Sequence, residues 1–170
     1  CELNEIIKIA KKYKIPVMED ACEALGAEYY GRKIGTVGDV GVFSLDFAKT
    51  ITTGEGGLIV SDIKKVMKYS REFHDHGHEN NKLYSRGNDT RKIYGLNLRM
   101  SELQAAVGLA QLKKLDFIVK NNRKNKARLK NNIIDLNKIR FRRIVDENNE
   151  LADTLIFYFD DKKYTKIFLK

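Results

Sequence analysis

The chain opens with apolar residues at helical spacing, Leu3, Ile6, Ile7 and Ala10, on a background of lysines. That pattern predicts an amphipathic helix over residues 2–13 with its lysine face in water. Pro16 marks its end, and Ile15 to Met18 reads as a short buried strand that delivers Glu19 and Asp20 to its carboxyl end. Residues 27–39, with Gly31, Gly35 and Gly38 around Tyr29 and Tyr30, read as a hairpin and loop. Val40 to Leu45 is an apolar strand, followed by a turn carrying Lys49, a loop with Gly54, Gly56 and Gly57, and a second apolar strand from Leu58 to Val60. Ser61 or Asp62 is expected to N-cap the next helix, whose inner stripe is Ile63, Val66 and Met67. Asn80 to Thr90 is polar and aperiodic and is expected to be a mobile loop.

Ser101 and Gln104 stand at capping-box spacing, so a helix should start at Ser101. Leu103, Ala106, Val107, Ala110 and Leu112 give it one apolar face, and Ala105, Ala106 and Gly108 are small enough to let another helix approach closely. Phe117 to Leu136 predicts a long helix rich in Lys and Asn, with Ile118, Leu129 and Ile133 turned inward. Beyond it, Leu155, Phe157 and Phe159 alternate as in a strand, and a short helix is expected from Asp161. Helices interleaved with short apolar strands place the chain in the α/β class.

Composition changes this picture little. Apolar residues make up 42% and charged residues 32% of 170 residues, enough for one domain with a core or for pieces of two. No apolar run approaches the roughly 20 residues of a membrane span, which argues against a membrane partner. The first residues show neither an initiator Met nor a signal-peptide hydrophobic region. Both ends fall inside an element pattern, so the chain reads as a fragment. Cys1 and Cys22 form no disulfide framework and fit a reducing cytoplasm. Net charge is +9, with twelve Lys and Arg between Gln111 and Arg143 against Asp116 and Asp135. Such a stripe suits a polyanion footprint, but charge runs are most often solvated faces, and we expect no nucleic-acid partner.

Chemistry enters at three places. Lys49 leaves a buried strand among few competing charges, where desolvation would favour the free amine and so a nucleophile able to attack a carbonyl. Residue chemistry alone leaves open that it is a solvated lysine beside a turn. Asp20 lies at the carboxyl end of a strand, the sheet edge where open α/β folds bind ligands, although an acidic residue there can also be only a helix cap. His74, His76 and His78, with Asp75 and Glu79, invite a metal reading. Their place at a helix end beside Gly77, with no Cys or distant His to complete a tetrahedral set, argues for no metal.

The segments EDACEALGAEYYGRKIGTVGDVGVFSLDFAKTITTGEGG and GLNLRMSELQAAVGLAQLKKLD together resemble the DegT-type sugar aminotransferases. These are pyridoxal-phosphate (PLP) enzymes of the aspartate-aminotransferase type I fold, and the resemblance covers Val17 to about Arg123. It implies that residues 1–116 are the C-terminal part of a PLP-binding large domain, a mixed sheet flanked by helices. Residues 117–138 would be a connecting helix, and 139–170 the beginning of a small α+β domain. It implies Lys49 as the Schiff-base lysine and Asp20 as the partner of the pyridine nitrogen, where a carboxylate keeps the ring protonated and electron-withdrawing. Ser44 would bind the cofactor phosphate. Asn97 would reach the phosphate of a partner subunit across a homodimer with a shared active site, and Arg99 would lie in that intersubunit site. Glu23 falls where many members carry Gln or His near the phenolic oxygen, and an ionised Glu would accept a hydrogen bond there rather than donate one. His76 would contact the sugar.

The implied reaction is transfer of an amino group, from glutamate as donor, to a keto-sugar, either nucleotide-linked or a keto sugar acid, for surface polysaccharide or deoxyaminosugar biosynthesis. A dehydratase branch of the same family carries His where the aminotransferases carry the lysine, and Lys49 argues against it. A non-catalytic scaffold is the remaining alternative, and the fragment alone should be inactive.

Overall fold

The computed structural model describes residues 1–136 and 138–168. Helix α1 (Leu3–Tyr13) buries Leu3 and Ala10 and ends at Lys14, which takes the left-handed conformation as C-cap. Strand β1 (Met18–Asp20) pairs in parallel with β4 (Val40–Ser44), and β4 pairs antiparallel with β5 (Gly57–Val60). The sheet is therefore mixed, in the order β1-β4-β5. Between β1 and β4 lies a hairpin of β2 (Glu28–Tyr29) and β3 (Arg32–Lys33). After β5 come α2 (Lys64–Phe73), a long loop with one 3₁₀ turn (Arg86–Asn88), α3 (Glu102–Leu112) and α4 (Leu115–Ile133). The chain closes with β6 (Ile139–Phe141) paired antiparallel to β7 (Phe157–Phe159), then α5 (Lys162–Phe168).

The expected mixed sheet flanked by helices forms, with several corrections. Ile15 and Met18 were expected in a buried strand, but β1 starts at Met18 and Met18 is 68% exposed, because β1 is an edge of the described sheet. Helix α2 begins at Lys64 with Ile63 in the N-cap position and no side-chain cap. The Ser61 hydroxyl instead accepts from the Ile63 N–H in a local turn, which delays the helix. Helix α3 has the capping box foreseen, with Ser101 and Gln104 bonding reciprocally. Its apolar stripe, however, faces outward, with Leu103 81% exposed, while Gly108 is the buried position. On α4 the buried residues are Val119 and Lys126, and Leu129 is exposed.

The basic stripe is partly paired rather than uniformly solvated. Lys126 bonds Glu150 at 2.5 Å, Lys130 pairs with Glu147, and Arg123 donates to the Glu150 carbonyl. The connection between β6 and β7 thus lies along α4 and also returns to the β2 hairpin, where Asp146 accepts from the Tyr30 N–H at 2.7 Å. Two apolar clusters share Ile34: one of Leu3, Tyr29 and Val37, the other of Ala27, Val119 and Leu151.

A buried carboxylate fixes how β1 meets the segment that leads into β4. Glu19 accepts backbone N–H groups from Gly35 at 2.8 Å and from Val37 and Gly38 at 2.6 Å each. These donors belong to a loop with no ladder partner, so the side chain supplies what secondary structure does not. The loop lies directly on β4: a Cβ on Gly41 would stand 2.0 Å from the Gly35 carbonyl oxygen, so only glycine fits there. Glu19→Ala is expected to cost about 3 kcal/mol or more, since two buried N–H groups and one part-buried one lose their carboxylate acceptor. Glu19→Gln keeps one oxygen and should cost less. Urea denaturation of the two variants against the parent checks the order.

Candidate active site

The parallel pairing of β1 and β4 sets Asp20 beside Val42, so both strands end on one sheet edge with Ser44 two residues beyond that level. Strand alternation buries Glu19 and leaves Asp20 exposed. The Asp20 Oδ1 accepts from the Cys22 N–H at 3.1 Å. The Cys22 thiol and that N–H hold the Asp20 carboxyl below its ordinary range, against a smaller opposing effect of burial and with a further contribution from the Lys49 charge. The neighbouring carboxylate pushes the Cys22 thiol up, and the thiol also lies 3.9 Å from the Val42 carbonyl.

Beyond β4 the chain makes a tight turn. The Ser44 hydroxyl accepts from the Asp46 N–H, Asp46 accepts from the Ala48 N–H, and the Lys49 N–H returns to the Asp46 carbonyl. Ile51, only 2% exposed, anchors the far side of the turn. The Thr52 hydroxyl and the Thr53 N–H both bond the Leu45 carbonyl. Lys49 is thereby held between a strand end and a buried isoleucine, and its side chain is 21% exposed.

The amine is not the free base that desolvation alone would favour. Lys49 Nζ forms a hydrogen-bonded ion pair with Glu23 Oε1. That bond raises the Lys49 pKa above its ordinary value, outweighing the opposing effect of burial, with smaller help from the Glu23 and Asp46 charges. Glu23, whose place in the site was the least defined by the sequence, is the direct partner of the candidate lysine.

Asn97 and Arg99 belong to a second network. The Arg99 Nε donates to the Asn97 Oδ1 at 3.0 Å and lies 3.4 Å from Asp75. Asp75 is buried and receives both terminal nitrogens of Arg86, at 2.9 and 2.6 Å. The Arg86 fork holds the Asp75 carboxyl far below its ordinary range. Among the described residues no hydrogen bond joins this network to Asp20, Ser44 or Lys49. The two are coupled through α3, which follows Arg99. The Gln104 side-chain amide donates to the Glu55 carbonyl at 2.8 Å, and Gly108 lies against Thr53, both in the loop after Lys49.

The three histidines part company. His74 Nδ1 bonds the Arg71 carbonyl, and His76 is exposed with a φ of 56°. His78 is buried, with Nδ1 3.2 Å from Asp89 and Nε2 2.9 Å from Arg91. The guanidinium can only donate, so Nε2 accepts and Nδ1 carries the proton toward Asp89. Among the described residues no group of three His, Cys, Asp or Glu is placed to hold a metal ion. Asp89 also accepts from the N–H groups of Asn80, Asn81 and Thr90, so the loop expected to be mobile is a hydrogen-bonded structure. Sequence reasoning missed Asp75 and Asp89 as organising groups. No local pattern singles them out, because their partners, Arg86, Arg99 and His78, lie 11 to 24 residues away along the chain.

Comparison with known proteins bears on the fold and the family of the chain. A UDP-4-amino-4,6-dideoxy-N-acetyl-beta-L-altrosamine transaminase of Campylobacter jejuni is 42% identical over 115 residues, 68% of this chain and 30% of that protein. The solved structure of Helicobacter pylori PseC, an aminotransferase involved in the biosynthesis of pseudoaminic acid, matches with a TM-score of 0.84 at 26% identity. That match covers 99% of this chain and 45% of the other. The structure of a GDP-4-keto-6-deoxymannose-3-dehydratase mutant with bound GDP-perosamine matches with a TM-score of 0.85 at 26% identity, over 95% of this chain and 45% of that one. The chain spans between 30% and 40% of the length of the curated relatives it matches. The family model described as the DegT/DnrJ/EryC1/StrS aminotransferase family matches residues 1–165, and the chain belongs to that family.

Proposed function

We propose that the protein containing these residues is a PLP-dependent aminotransferase that moves an amino group from glutamate to a keto-sugar in the cytoplasm. The observation that supports it most is the pairing of β1 with β4, which brings the Asp20 carboxylate and the Lys49 amine to one sheet edge. The residues suit PLP. Asp20 is exposed and held ionised by Cys22, so its charge can meet a cationic ring nitrogen, and the Lys49 charge lies within electrostatic reach of it. When bound, the cofactor supplies an electron sink for charge that develops on the substrate carbon.

In this reading Lys49 would be the point of attachment, and its Nζ would move a proton between the substrate α-carbon and the C4′ carbon of the cofactor, as general base and acid. Asp20 would hold a proton on the ring nitrogen of the cofactor. Ser44 donates its hydroxyl to the phosphate, with Asn97 of a second subunit as the other anchor. Arg99 and His76 face the substrate. Residues 1–116 would form the cofactor-binding part, 117–138 the connection, for which helix α4 (Leu115–Ile133) supplies most of the length, and 139–170 the beginning of the small domain. The sugar is a nucleotide-linked keto-sugar or a keto sugar acid, destined for surface polysaccharide or deoxyaminosugars. A dehydratase matches this chain structurally as well as an aminotransferase does, but Lys49 stands where the dehydratase branch carries His.

Incubation of the intact protein with PLP, borohydride reduction and peptide mass spectrometry is expected to find the adduct on Lys49. Lys49→Ala should lose it and lower turnover by several orders of magnitude. A folded protein with no adduct at Lys49 overturns the reading. Asp20→Asn should keep the adduct yet lower turnover on the order of 10²-fold, because only the stabilisation of developing charge is removed. Single-turnover absorbance changes with glutamate measure that step directly.

A further inference from the structure

The ion pair between Lys49 and Glu23 joins the two strand ends of the site. Glu23 follows β1 and Lys49 follows β4. The amine sits on a side chain 21% exposed, while the glutamate reaches it from the solvent side, 75% exposed. The other ionisable groups around the amine are engaged elsewhere or act only at a distance. Asp46, on the lysine's own turn, accepts from the Ala48 N–H. Asp20 and Cys22, on the β1 side, bond each other. Among the described residues the Glu23 carboxylate is the group that hydrogen-bonds Nζ. A glutamine at this position could offer the same oxygen, but without charge and without a place for a proton.

On the reading of Lys49 as the cofactor lysine, we propose that Glu23 is its counter-ion and its proton acceptor. The carboxylate holds the nitrogen as an ammonium aimed along the sheet edge while no carbonyl ligand is present. The ammonium must lose a proton before it can attack a carbonyl, and that proton passes from Nζ to Oε1. An ammonium and a carboxylate become an amine and a carboxylic acid, with no net change of charge and no other reactant. The same transfer turns Glu23 from an acceptor into a hydrogen-bond donor, able to meet an oxygen on the ligand beside Lys49. The carboxylate thus serves both states of the site, before and after the proton moves.

Two measurements on the intact, cofactor-free protein test this. Trace labelling with acetic anhydride across the alkaline range, read by peptide mass spectrometry, gives the titration midpoint of Lys49 beside exposed Lys113 and Lys124 in the same digest. Lys49 should titrate above both references, and Glu23→Gln should bring it down by about one pH unit, the size expected when an adjacent opposite charge is removed. Asp46→Asn should move it less. An unchanged midpoint in Glu23→Gln protein that keeps its circular dichroism and its slow labelling of buried Lys126 overturns the counter-ion. The rate of borohydride-trapped PLP attachment, divided by the fraction of neutral amine, should fall at least about tenfold in Glu23→Gln. An equal normalised rate overturns the proton transfer. Absence of adduct in both proteins overturns the assignment of Lys49 instead, and the labelling midpoints still decide the counter-ion.

Discussion

The candidate site depends on Glu19. Its buried carboxylate gathers three backbone N–H groups from the loop that enters β4, and so fixes β1 against β4 at the level where both strands end. Because side chains alternate along a strand, burying Glu19 turns Asp20 outward at the sheet edge. One acidic residue is structural and the next is chemical for the same geometric reason. The close approach of Gly35 and Gly41 belongs to this constraint, since the loop could not lie on β4 with a side chain between them.

The same device recurs along the chain. Asp75 draws in Arg86 and Arg99, and Asp89 ties His78 to three backbone N–H groups. Asp89 satisfies backbone donors that would otherwise lack partners, whereas Asp75 orders the same long loop by gathering two arginine side chains. This places Asn97 and Arg99 on a rigid approach to α3, and α3 in turn rests on the loop that follows Lys49. Among the described residues the two halves of the candidate site are therefore connected through the Glu55 carbonyl and a glycine contact rather than through a shared ion pair.

Much of the architecture was legible from local pattern. The period of α1, the apolar runs of β4 and β5, the hairpin glycines and the capping box at Ser101 all act within a few residues, and each element formed near its expected bounds. Errors arose where one face competed with another. On α4 the apolar count favoured Leu129, which is exposed, while Lys126 is buried beside Val119 because Glu150, far along the chain, meets its charge. On α3 the leucine stripe was read as the packing face, whereas Gly108 is what approaches the loop at Thr53.

The sequence by itself determined most of the helices and strands, that Asp20, Ser44 and Lys49 stand at or just beyond strand ends, and the family to which the chain belongs, because these follow from periodicity and from motifs contiguous along the chain. Only the tertiary structure decided the state of the candidate lysine. Burial alone would favour a neutral amine, but folding brings Glu23 to Lys49 from another strand end, and that attraction outweighs desolvation. The balance between the two depends on a contact between residues 26 positions apart, which no local pattern encodes.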